Sequence, residues 1–166
     1  MTFARNLEAL TANFVNAGFV AGTTSTYTTT VTTVASIGGK FVTTLGAQTN
    51  TASPTTDAGT GAAYVALGVN KATVLVWGTN AAGAIKMCQG SIENTEVGVT
   101  TTVGAFINAP QFPTLPDDFV PMAYQLCRTA PSASAWTPGT SNWTATGVTC
   151  AAMVNVTTLP ARPVVS

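Results

Sequence analysis

The chain contains no histidine among its 166 residues. Imidazole is the commonest general base near neutral pH and the commonest side-chain metal ligand, so Ser-His-Asp and Cys-His machinery is excluded. Charge is nearly as scarce. Charged residues make up 7% of the chain, against about 25% in an average soluble protein. Six basic and six acidic residues cancel to a net charge of zero. Without a basic stripe there is little to neutralise phosphates, which argues against a nucleic-acid partner. No apolar run approaches the roughly 18 residues of a membrane-crossing helix. The N-terminus carries one early arginine and no long apolar stretch, so no secretory signal is evident and synthesis in the cytoplasm is expected.

Carboxylates and cysteines narrow the chemistry further. A Walker-type phosphate loop is missing. Glu93 and Glu96 are the only acids at short, non-adjacent spacing; pairing one of them with Asp118 is the sharpest catalytic reading, because glycosidases need two facing carboxylates. The expectation is a protein that is not an enzyme and that takes no cofactor and no metal. Cys88, Cys127 and Cys150 form an odd, widely spaced set. Buried, reduced thiols acting as small hydrophobes are the favoured reading, with one disulfide plus a spare thiol as the alternative.

What is abundant is threonine, about a fifth of the chain, a β-branched residue that suits half-exposed strands. With 15 Gly and 9 Pro punctuating short apolar runs, the composition predicts an all-β fold, a β-sandwich or jelly-roll-like domain. Three regions follow: an N-terminal helical arm over 1–22, a sandwich-like domain over 23–158 and an extended C-terminal tail over 159–166.

In the arm, Phe3, Leu7, Leu10 and Phe14 recur at helical spacing within residues 2–17. So short a helix is marginal alone and needs a surface, either the chain's own sheet or a neighbouring subunit. In the domain, Tyr27, Thr29, Val31 and Thr33 share one face of a first strand. Gly38-Gly39 marks a hairpin returning along "KFVTTL". Residues 46–61 read as a low-complexity loop whose single charge, Asp57, is expected to bond its own backbone in a turn. "AAYVAL" (62–67) reads as a short strand. "ATVLVWG" (72–78) and "AIKMCQGSI" (84–92) form the clearest hairpin, and apolar groups on both faces of the first strand place it centrally. Residues 96–107 read as a strand or ordered stretch.

Pro110, Pro113 and Pro116 repeat every third residue, the period of polyproline II, with Phe112 and Leu115 on another edge. This stiff segment is expected to cross from one sheet to another, and Asp117-Asp118 after it reads as a turn. "FVPMAYQLCRTA" (119–130) and "TCAAMVNV" (149–156) are the last strands. Trp136 and Trp143 sit on the polar loop 131–148. They are candidates for surface recognition by stacking; the alternative is that they fold back over the sheet.

The stretches "SIGGKFVTT", "SPTTDAGTGAAYVAL", "VLVWGTNAAGAIKMCQGSI", "PQFPTLPDDFVPMAYQL" and "SAWTPGTSNWTATGVT" resemble, in order and spacing, small virion proteins of tailed bacteriophages of the head decoration or cement kind. The similarity spans about Tyr27 to Leu159; Gly38 stands where that group carries Asp before Gly-Lys. The resemblance implies a β-rich homotrimer that binds the outer surface of the major capsid protein lattice, located on the virion, with no catalytic residue carried across. On that expectation Phe3, Leu7, Leu10 and Phe14 form one docking stripe, and the tail from Leu159 and Pro160 a second arm. The alternative is a tail-fibre or receptor-binding module in which Trp136, Trp143 and loop 46–61 face a host glycan.

Overall fold

The computed structural model describes residues 11–43 and 46–164. It is all-β: among the described residues there are twelve strands and no helix. In chain order they are β1 (Ala12–Asn13), β2 (Val20–Ala21), β3 (Thr26–Thr29), β4 (Val34–Ile37), β5 (Lys40–Thr43), β6 (Gln48–Ala52), β7 (Lys71–Asn80), β8 (Ile85–Gln89), β9 (Glu93–Asn94), β10 (Phe119–Thr129), β11 (Val148–Cys150) and β12 (Val154–Asn155). Every pairing between them is antiparallel.

The large sheet runs β11-β10-β7-β8, with β12 also on β10 and β9 also on β7. β7 lies at its centre, as its two-sided apolar pattern requires: the eight residues from Ala72 to Thr79 are all buried. Two three-stranded sheets, β1-β4-β5 and β2-β3-β6, complete the architecture. One core fills the space between them and the large sheet. Phe19 and Tyr27 meet Trp77 of β7 there, with ring centroids 5.9 and 5.4 Å from it. A second core lies on the opposite face, where Val74, Val76, Tyr124 and Leu126 are covered by Phe112, Leu115, Val156 and Leu159.

Both predicted hairpins are present. β4 and β5 are joined through Gly38 and Gly39, whose φ values of 56° and 80° suit a two-residue turn that glycine adopts without strain. β7 and β8 pair from Leu75↔Gln89 to Thr79↔Ile85.

Several expectations are corrected. The described part of the arm is extended, not helical: Ala12 and Asn13 pair with Ser36 and Ala35, and the Phe14 N–H donates to the Val34 carbonyl. Phe3, Leu7 and Leu10 lie outside the described residues. Loop 46–61 contributes β6, an edge strand on β3. Residues 62–67 make only isolated bridges, Ala63 with Thr56 and Leu67 with Trp136. Within 96–107 the chain folds as a narrow hairpin through Val99↔Thr102, closed by Thr95↔Phe106. The proline segment does not change sheets. It leaves β9 and enters β10, both partners of β7, and so crosses one face of a single sheet. Phe112 there meets Tyr124 edge-on, at 5.1 Å.

The cysteines follow the second alternative. Cys127 and Cys150 are register partners on β10 and β11 and are disulfide-bonded, while Cys88 is a buried free thiol.

Candidate functional surfaces

Asp57 is the most constrained acid of the described chain. Its Oδ1 accepts from the N–H groups of Gly59 at 2.6 Å and Thr60 at 3.0 Å, which is the expected local turn. Its Oδ2 reaches across to the Gln89 N–H at 2.8 Å, a link that local sequence does not reveal. The carboxylate thereby ties loop 57–65 to the free edge of β8. Gln89 completes the seal: its side chain accepts from the Val65 N–H and donates to the Val65 carbonyl, both at 2.8 Å. An open sheet edge invites pairing with strangers, and here a carboxylate and an amide close it.

This seal shapes the chemistry around it. Tyr64 donates its hydroxyl into the Thr56 and Met87 carbonyls, at 2.7 and 2.9 Å. Burial, then the nearby Asp57 charge, raises its pKa above the ordinary phenol value. The Cys88 thiol is pushed up to about 12 by burial and then by Asp57. Both groups are held neutral, which fits structure and not nucleophilic attack. An open groove of about 540 Å3 runs between Asp57, Gln89 and the proline segment, but with three N–H groups on its carboxylate Asp57 has little left to offer a ligand.

The catalytic pairing of Glu93 or Glu96 with Asp118 fails on register for Glu93. Glu93 lies beside Ala72 at one end of β7, and Asp118 precedes Phe119, which pairs with Asn80 at the other. Eight residues of strand separate these ends, about 26 Å at 3.3 Å per residue. The Glu93 carboxylate is engaged with the Ser91 hydroxyl at 2.7 Å. Glu96 belongs to the same end, where its N–H donates to Ala105 in the 95–106 hairpin. Among the described residues no group of three or more Cys, Asp and Glu side chains is placed to hold a metal ion.

The two loop tryptophans are not surface platforms. Trp136 and Trp143 are 1% and 3% exposed. Their ring N–H groups donate to the Asn142 and Thr26 carbonyls, at 2.9 and 2.8 Å. Trp143 bridges Trp136 and Trp77, at 5.7 and 6.0 Å. Loop 131–148 therefore plugs the end of the main core.

The described part of the tail lies against the body of the domain. Leu159 packs into the second core, Pro163 is buried, and the Val164 N–H donates to the Tyr124 hydroxyl at 3.1 Å. Pro160, Ala161, Arg162 and Val164 stay exposed. Of the proposed docking stripe, Phe14 is described and is 47% exposed.

What the molecule does present is apolar and nearly uncharged. Val97 and Val99, on the 95–106 hairpin, are 80% and 74% exposed, and Val65 and Ile107 are 63% and 58% exposed. Sequence reading placed none of these on the surface, because period and β-propensity mark them as strand interior. Charge is segregated. Arg128 and Arg162 line one groove of about 370 Å3 with Phe106, Ile107, Pro110 and Pro163. Asp117 and Asp118 are exposed in the turn closed by the Phe119 N–H and the Pro116 carbonyl. Comparison with known proteins adds no identification: no family model matches the chain, and neither the curated proteins nor the solved structures give a significant match.

Proposed function

We propose that this protein is a structural component of a bacteriophage virion, one that decorates the capsid by binding the outer surface of the major capsid protein lattice as a homotrimer. The observation that carries this reading is the exposure of Val65, Val97, Val99 and Ile107 on a chain with only 7% charged residues. Large exposed apolar side chains without a surrounding field of charge mark surfaces that other proteins cover. A shell component gains stability from copies of itself and from the lattice beneath, so its faces need not be made soluble one by one. The sequence resemblance to small tailed-phage virion proteins points the same way.

Tight sealing of the β8 edge supports the reading. A protein meant to crowd against its own copies must keep its sheet edges from pairing at random. The receptor-binding alternative drew on Trp136, Trp143 and loop 46–61, and both tryptophan rings are spent inside the core, which leaves it the loop alone.

Copy number tests the proposal. Quantitative mass spectrometry of purified particles is expected to find this chain at a number comparable with that of capsid subunits. A count of tens or fewer would place it in an appendage and overturn the shell reading.

A further inference from the structure

The charges of this chain are few, and their placement is uneven. Arg128 and Arg162 are two of the six basic residues and line a single groove whose other walls are apolar apart from Asn108. Arg128 is held in place: its guanidinium lies 5.3 Å from the Phe106 ring centroid and donates to the Gly104 carbonyl at 3.1 Å. A guanidinium fixed in this way keeps further N–H donors for a planar anion and loses little freedom on binding one. None of the groove's lining residues is acidic. Glu93 borders the adjoining cleft with Phe106 and Pro110, and its carboxylate already accepts from Ser91.

The other end of β10 carries the opposite sign. Asp117 and Asp118 immediately precede the strand and are exposed. Lys86 and the sealed Asp57 flank Asp118 in a shallow pocket, so carboxylates outnumber the single ammonium there. Arg128 is the tenth residue of the eleven in β10. Acidic turn and arginine groove are thus separated by about 33 Å of strand, at 3.3 Å per residue, and cannot meet within one chain.

Two complementary patches at opposite ends of one molecule define a head-to-tail contact, the type of interface that closes into a ring. From this charge complementarity we infer that the Arg128–Arg162 groove receives the Asp117-Asp118 turn of a second copy, and that this contact builds the oligomer. The inference rests on the shell reading only in taking self-association as part of the function. Ile107, on the groove wall and 58% exposed, supplies apolar area next to the ion pairs. Arg162 and the two aspartates meet their partner carboxylates and guanidinium groups near solvent, so the contact weakens with salt.

Sedimentation velocity on the full chain tests it, using Arg162→Glu and the double variant Asp117→Lys/Asp118→Lys. All three substituted side chains are exposed, so folding is preserved, and circular dichroism confirms it for each variant. Each variant alone is expected to associate at least tenfold more weakly than the parent chain. An equimolar mixture of the two is expected to regain part of the association as heterodimers, because the Asp117→Lys/Asp118→Lys chain keeps its Arg128–Arg162 groove and the Arg162→Glu chain keeps its Asp117-Asp118 turn. Raising salt from about 50 mM to about 500 mM is expected to dissociate the parent. An oligomer unchanged in both variants, or a parent chain that stays monomeric, would overturn the inference. Binding of the same samples to purified phage heads is read separately: variants that fail to self-associate yet still bind heads leave the shell reading standing, whereas an oligomeric parent that ignores heads removes that reading and leaves this contact intact.

Discussion

Replacing Asp57 by alanine removes one side chain and strands three backbone donors at once. The Gly59, Thr60 and Gln89 N–H groups all point at its carboxylate, at 2.6, 3.0 and 2.8 Å. Thr60 is exposed, so water replaces the carboxylate there at small cost. The Gln89 N–H lies on the covered edge of β8, where Asp57 bridges to Met87 and the Ala58 N–H donates to the Met87 carbonyl. A stranded donor in such a place costs about 1–3 kcal/mol, and a hydrogen bond to a charged acceptor contributes about 1.5–3 kcal/mol. Gly59 is exposed as well, so the Gln89 donor dominates and the sum expected for Asp57→Ala is about 2 kcal/mol. Asp57→Asn keeps one acceptor oxygen and is expected to lose about half as much. Urea unfolding at pH 7, followed by tryptophan fluorescence, measures both; Trp77, Trp136 and Trp143 are all buried and report the core. A loss below about 0.5 kcal/mol for Asp57→Ala, the range of an ordinary surface substitution, would refute the role given to this carboxylate.

Three further outcomes are expected. Gly78→Ala should destabilise by about 3 kcal/mol or prevent folding, because a methyl group there collides with the Val120 carbonyl and the Phe119 ring inside the β7–β10 ladder; a soluble variant with an unchanged midpoint would contradict the packing. Stability should fall as pH rises from 9 towards 12: Cys88 titrates at about 12 when folded against 9.0 when free, so over that window the unfolded chain binds fewer protons and is favoured by up to about 1.4 kcal/mol per pH unit. Cys88→Ala should flatten that slope, leaving the part due to Tyr64, as read by urea titrations at stepped pH. Reduction of the Cys127–Cys150 disulfide, which spans 23 residues of sequence, should cost about 3 kcal/mol on loop-closure grounds, seen as a lower urea midpoint in the presence of a thiol reductant.

Much of the fold was legible because local chemistry decided it. Gly38-Gly39 demanded a tight turn, and the doubly apolar run from Ala72 to Gly78 could only be a central strand. Residues 119–129 followed from a long apolar stretch with turn residues before it. Where reading failed, a distant partner overrode the local signal. The helical spacing that included Phe14 yields, from residue 12 onward, to a ladder with β4, and Asn13 is buried with its amide bonded to the Val156 carbonyl, 143 residues away. The sequence "QTNTA" has no apolar alternation because β6 is an edge strand, held by β3 and not by burial. Trp136 and Trp143 look exposed from their polar neighbours, yet each finds a carbonyl for its N–H only by folding inward. The disulfide depends on the β10–β11 register, which no spacing of three cysteines reveals. The candidate surfaces were least legible of all: nothing in the order of residues says that Arg128 and Arg162 converge, or that Val97 and Val99 face outward.

The most direct test of the central claim, that neutral apolar faces exist here to be covered, is co-sedimentation of the purified chain with phage heads stripped of it. The account predicts an oligomer in the absence of heads and saturable binding to heads at a fixed ratio to capsid subunits. A single, well-behaved chain that remains in the supernatant at every head concentration would contradict it.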